Sequence, residues 1–200
     1  MTTRRGREGP GHTTRVRQAV RELEGRRERR RAEGYEETTT SRFRLFMRQG
    51  PWQPGGNELQ RWTWPSRVDL KQTAIDAVAD LLVGRGWVAA DERSWLVLCL
   101  DEAITNAMLH GNEGDPRLPI EVVVADDGRR WHVGVSDQGE GFTPAAIPDP
   151  DDPASLLLEH GRGIRLMRAW LNSLTYWRGG ATVVLARKHA AAGTGRFGGK

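Results

Sequence analysis

Cysteine is almost missing from this chain of 200 residues. Cys99 stands alone, which excludes an intrachain disulfide and agrees with a reducing compartment. No run of 18 or more apolar residues exists, so no segment reads as a membrane-spanning helix, and the N-terminus lacks the apolar core of a secretory signal. The expectation is a soluble, cytoplasmic protein without membrane contact. No Gly-x-x-x-x-Gly-Lys-Ser/Thr loop occurs, which excludes a nucleotide site of the Walker type. Apolar residues make up a modest 38%, because the two ends dilute a middle that can bury a core. The length suits one domain with tails.

The net charge of +4 is not spread evenly. Residues 1–34 hold 11 Arg against 5 Glu, so the rest carries 19 basic against 21 acidic side chains and shows no nucleic-acid footprint of its own. Only the basic arm could hold a phosphate backbone or an acidic protein surface. It has too few apolar residues to offset the entropy of ordering, and residues 1–55 read as a disordered arm and linker. Within them Val16, Val20 and Leu23 make a thin helical stripe, and FRLFM (residues 43–47) reads either as a short strand or as a docking segment. A folded domain is expected over 56–188 and a flexible Ala- and Gly-rich tail over 189–200.

The most informative stretch is WLVLCLDEAITNAMLHGN, residues 95–112. At about 100° per residue it places Leu96, Leu100, Ala103, Ile104, Ala107 and Met108 on one arc, the stripe of an amphipathic helix. Glu102 and Asn106 fall on the shoulder of that stripe, one turn apart on the same face, as residues bordering a cleft must. Upstream, LQRWTWP reads as a strand ended by Pro65. Ser66 with Asp69 resembles a capping box, Leu70 to Leu82 recurs at helical spacing, and Gly84 is a stop. Residues 91–94 are expected to cap the central helix.

Downstream, IEVVVADD and WHVGVSDQG flank Gly128 as a hairpin, and the second strand runs into DQGEGF, residues 137–142. Residues 143–159, rich in Pro and Asp, have no period, and a segment this long inside a compact domain is functional or disordered. Then HGRGIRLMRAW opens an apolar helix on two glycines, with Ile164, Leu166, Met167, Trp170 and Leu171 on one face, and LTYWRGGATVVLARK reads as two strands around Gly179 and Gly180.

An acid and an amide on a helix, Asp-x-Gly-x-Gly at a strand end and Gly-x-Gly at a helix start form an ordered set. These three stretches resemble the N, G1 and G2 boxes of the GHKL ATPase superfamily. DEAITNAMLHGN, VSDQGEGF and GRGIRLM are similar to the wording of its compact bacterial branch, the anti-sigma factor serine/threonine-protein kinases. The resemblance covers about residues 59–188. It implies an α/β two-layer sandwich, the Bergerat ATP-binding fold, in which a mixed, mainly antiparallel sheet carries its helices on one face.

It also implies ATP and Mg²⁺ as ligands. Asn106 offers an uncharged oxygen suited to Mg²⁺ shared with phosphates, and the matching family residue holds the metal. Glu102 matches the general base that takes a proton from an attacking hydroxyl. Asp137 is an acceptor suited to the adenine amine, with Gly139 and Gly141 letting the chain pass beneath a flat ring. Gly161 and Gly163 present backbone N–H groups at a helix start, the arrangement anions favour. His160, Arg162, Ile164 and Thr182 complete the nucleotide-binding set, and residues 143–159 take the place of the lid. Two positions depart from the family. Glu159 stands where a basic residue is common, and Ala181 stands where many relatives have a Thr that helps bind the base. The implied partners are a sigma factor and an anti-anti-sigma protein, and a homodimer is compatible with the reading. Two alternatives stay open: a nucleotide-dependent binding module without phosphotransfer, and a catalytic domain of histidine-kinase type. The latter needs a phosphoacceptor hairpin upstream, where the one histidine is His12.

Overall fold

The computed structural model describes residues 44–141, Met167 and 169–190. All belong to one compact unit, residues 42–200. Its frame is a six-stranded sheet: β1 (Arg44–Met47), β2 (Asn57–Pro65), β3 (Pro119–Asp126), β4 (Arg130–Ser136), β5 (Ser173–Trp177) and β6 (Thr182–Lys188). The spatial order is β1-β5-β6-β4-β3-β2, and every pairing is antiparallel except β1 with β5. The fold is the expected two-layer α/β sandwich, and the segment left open as strand or docking segment supplies edge strand β1.

Period-two alternation makes the core. Ile120, Val122 and Val124 of β3 lie beside Val133 and Val135 of β4 and Val183 and Leu185 of β6, and each of these is at most 8% exposed. Between β3 and β4, Gly128 takes φ +83° and donates its N–H to Asp126 Oδ1 at 2.8 Å. Asp127 Oδ1 accepts from the N–H groups of Arg129 and Arg130, which closes the hairpin.

Among the described residues, two complete helices cover this inner face. Helix α1 (Lys71–Gly84) buries Ala74, Ile75, Val78, Ala79 and Leu82, a stripe at helical spacing. Helix α2 (Arg93–Thr105) buries Trp95, Leu96, Cys99, Leu100, Ala103 and Ile104. Each fully buried large side chain such as Leu96 contributes about 1.5–3 kcal/mol. Arg93 ties the helices together through Asp76 and Asp80, both at 2.8 Å, and Lys71 reaches Asp101 at 2.6 Å.

Three local expectations are corrected. Ser66 and Asp69 form no capping box: the Ser66 hydroxyl donates to the carbonyl of Leu118 at 2.7 Å, Asp69 pairs with Arg67, and a 3-10 turn (Val68–Leu70) precedes α1. Glu92, the residue before α2, makes no side-chain cap bond: a second 3-10 turn (Ala90–Glu92) leads in, and the Glu92 carboxylate pairs with Arg187 at 2.7 Å. Helix α2 does not run on evenly to residue 112. From Asn106 to Gly111 it widens into a π turn, closed by the Asn112 N–H on the Ala107 carbonyl at 2.9 Å.

The outer face is crossed by the chain itself. Because β1 and β2 sit at opposite edges, residues 48–56 must span five strand spacings, about 24 Å, nearly the full reach of such a segment (~30 Å). The strap is anchored at one end by the Arg48 N–H on the Tyr176 carbonyl (2.8 Å) and the Arg178 N–H on the Gly50 carbonyl (3.2 Å). Mid-sheet, the indole of Trp52 lies where a side chain on Gly134 would be.

Candidate active site

Glu102 and Asn106 are stacked as the helical spacing predicts. Asn106 Nδ2 donates to Glu102 Oε1 at 3.3 Å, which leaves Asn106 Oδ1 for a cation and Glu102 Oε2 for a proton. Both side chains are half-buried. Burial, with the charge of Glu102 adding to it, pushes the Tyr176 hydroxyl of β5 and the Cys99 thiol well above their ordinary values. Cys99 is fully buried, a wall residue rather than a nucleophile.

The helix leads from this pair to Asp137. Glu102 and Gly111 are separated by roughly 13 Å of helix at 1.5 Å per residue. Gly111 lies so close to the Asp137 carboxylate that a Cβ there would occupy the carboxylate's own space, and Gly139 is held equally close to the Gly111 carbonyl. Asp137 is 7% exposed. Its Oδ1 accepts the Gly139 N–H at 2.8 Å, and Oδ2 has no hydrogen-bond donor among the described residues. Burial raises the carboxyl's pKa, against the lowering effect of the Gly139 N–H and the Arg178 charge. Gly141, at φ +82°, packs on the carbonyl of Gly179 in the β5–β6 turn, and the Asp137 N–H donates to the Ala181 carbonyl at 3.0 Å. An acceptor-rich corner at the negative end of a helix suits a ligand that offers hydrogens, such as an exocyclic amine. The Glu102–Asn106 turn, earlier on the same helix, offers oxygens of the kind a phosphate-bound cation takes.

The described residues thus bring together Glu102, Asn106, Asp137, Gly139 and Gly141. Thr182 is not brought to them. It pairs with Ser136 across β6 and β4, and the two hydroxyls bond at 2.9 Å on the outer face, opposite the helices. Strand parity causes this, since Ser136 and Thr182 share a face with Gly134 and Trp52. His160, Gly161, Arg162, Gly163 and Ile164 lie outside the described residues, as does the expected lid. Of the helix expected after residues 143–159, Met167, Trp170 and Leu171 are buried as its spacing predicted. No group of three or more His, Cys, Asp or Glu suited to a metal occurs among the described residues.

Residues 64–188 match the family model of the histidine kinase-like ATPase domain. The chain belongs to that family. Its ATP-binding domain is of the GHKL type, and its role is kinase-like. It is also 30% identical over 110 residues to the serine/threonine-protein kinase BtrW of Bordetella bronchiseptica, across 53% of this chain and 78% of that relative. No helix among the described residues is long and apolar enough to cross a membrane.

Local sequence reading missed Asn112 and Ser136. Asn112 is fully buried and bonds to three separate segments. Its one local signal is its place after a glycine at a helix end.

Proposed function

We propose that this chain is an ATP-dependent serine/threonine kinase of the anti-sigma factor type, which sequesters a sigma factor and phosphorylates an anti-anti-sigma protein. The observation that carries the reading is the Glu102–Asn106 pair, 3.3 Å apart on the helix whose far end seats the Asp137 turn. One continuous element then sets base recognition and proton transfer at a fixed separation.

ATP lies between the helices and the sheet in this reading, its adenine amine on Asp137 Oδ2. Asn106 Oδ1 would hold Mg²⁺, which would supply charge neutralisation on the phosphates. The Asn106 amide holds one oxygen of Glu102 and aims the other at the hydroxyl of a protein serine or threonine. Glu102 takes that hydroxyl's proton as the oxygen bonds to the terminal phosphorus and the bond to ADP breaks. His160, Gly161, Arg162, Gly163 and Ile164 hold the phosphates. The motif wording and the Bordetella relative, a serine/threonine-protein kinase by name, support a protein substrate.

The purified protein, labelled ATP and candidate anti-anti-sigma proteins test this. Wild type should label one of them. Glu102→Gln should lower transfer by about 10²–10⁴ with ATP affinity within a few-fold, and transfer at the wild-type rate would remove Glu102 as the base. A second reading is a nucleotide-dependent switch without transfer. It is favoured by Thr182, whose hydroxyl bonds to Ser136 on the face away from the base. ATP binding with no transfer to any antagonist would establish it instead.

A further inference from the structure

We propose that Asn112 is a positioning residue that couples the base-reading turn at Asp137 to the helix that carries Asn106. The inference rests on the nucleotide site proposed above. Asn112 is 0% exposed. Its Nδ2 donates to Ser66 Oγ and to the Leu118 carbonyl, both at 2.9 Å, and its Oδ1 accepts the Gln138 N–H at 2.7 Å. A peptide N–H can only donate and a carbonyl can only accept, so the amide has one allowed orientation. Both amide hydrogens and the oxygen are used.

The three partners lie on the turn before α1, the loop before β3 and the Asp137 turn. The Gln138 bond matters most for the site. Its peptide lies between Asp137 and the Gly139 N–H that holds Asp137 Oδ1, so fixing that peptide fixes the carboxylate. The backbone of Asn112 does a second job, since its N–H closes the π turn that begins at Asn106. Gly111 and Asn112 therefore act as a seat: the glycine leaves room for the carboxylate, and the asparagine pins the turn. A change in base contact at Asp137 is passed through one buried amide to the turn that presents Asn106.

Ser66→Ala serves as the comparison. It removes one partner of Asn112 and leaves the Gln138 bond in place, so a purely structural role would affect both variants alike. Amide hydrogen exchange of the full-length protein without nucleotide, read by NMR, should show Gln138 protected in wild type and in Ser66→Ala. In Asn112→Ala it should exchange about tenfold faster or more, while Val133 in the β3–β4 ladder stays protected. ATP affinity should fall about tenfold in Asn112→Ala and the preference over GTP should narrow, with Ser66→Ala staying within about threefold of wild type. Asn112→Asp keeps the acceptor and loses both donors, so it should retain Gln138 protection. It also decides the matter if Asn112→Ala does not fold. Unchanged Gln138 exchange in Asn112→Ala, fast exchange in Asn112→Asp, or an equal loss of nucleotide preference in Ser66→Ala would overturn the proposal. If wild type binds neither nucleotide, the proposed function fails by itself, because the exchange measurement needs no ligand.

Discussion

Asp137→Asn should shift nucleotide preference from ATP toward GTP, and the reason lies in which oxygen is already occupied. Oδ1 is bound to the Gly139 N–H at 2.8 Å, so the asparagine oxygen must take that place and its NH₂ group the place of Oδ2. Adenine's amine would then face a donor. The variant loses a charge-assisted hydrogen bond worth about 1.5–3 kcal/mol and leaves the amine unpaired, so ATP affinity should drop tenfold to a hundredfold or more. The carbonyl that guanine carries at the same position faces an acceptor in wild type and a donor in the variant, so GTP should bind the variant better. Flipping the amide to rescue ATP would set its NH₂ against the Gly139 N–H and gain nothing. Calorimetric titration of both nucleotides into wild type, Asp137→Asn and Asp137→Ala measures the ratios directly. Wild-type ATP affinity in Asp137→Asn, or an unchanged ATP-to-GTP ratio, would refute the assignment of Oδ2 to the base.

The same carboxylate sets a pH dependence. Burial raises its folded pKa above the ordinary 3.8, so the folded state holds the proton more tightly than the unfolded chain. That contribution to stability is complete below 3.8 and is lost as pH rises through the folded value, so denaturant titrations without nucleotide should show Asp137→Asn losing this component of the pH slope. Gly111→Ala drives a methyl group into the Asp137 carboxylate; it should cost about 1–3 kcal/mol of stability and weaken ATP binding, read from a melt and a titration. Trp52→Ala bares Gly134 and the outer face; it should lower stability by about 1–3 kcal/mol with little change in ATP affinity, since the proposed nucleotide site is on the other side of the sheet.

Period and turn chemistry made most of the frame legible. The alternation around Gly128, the apolar stripes of both helices and the stop at Gly84 depend on neighbours a few residues away, and local sequence records those. The caps failed for the opposite reason. Ser66 and Glu92 are taken by the Leu118 carbonyl and by Arg187, partners far along the chain that only the folded structure brings near. Asn112 reads as one more helical residue until Gln138 is seen beside it. Thr182 shows how much register decides, because its motif neighbours suggest the base while its pairing with Ser136 turns it to the outer face. The π turn has no periodic signature, and it separates Asn106 from the regular helix that precedes it.

The place of β6 in the sheet has a consequence during synthesis. Strands β3 and β4 form a hairpin, and β2, made before the two helices, can pair with β3 as soon as that hairpin leaves the ribosome, but the outer edge of β4 is completed only by β6, the last of the six strands to be made. Between Ser136 and Lys188 lie roughly 50 residues, so at ~5–20 residues per second that edge waits about 3–10 s without its neighbour. For that interval it is an open template, and nascent chains on one message carry identical copies of the missing strand. Arg129 and Arg130, exposed where β4 begins, put two positive charges at one end of that edge, so two chains meeting there repel each other while each waits for its own β6.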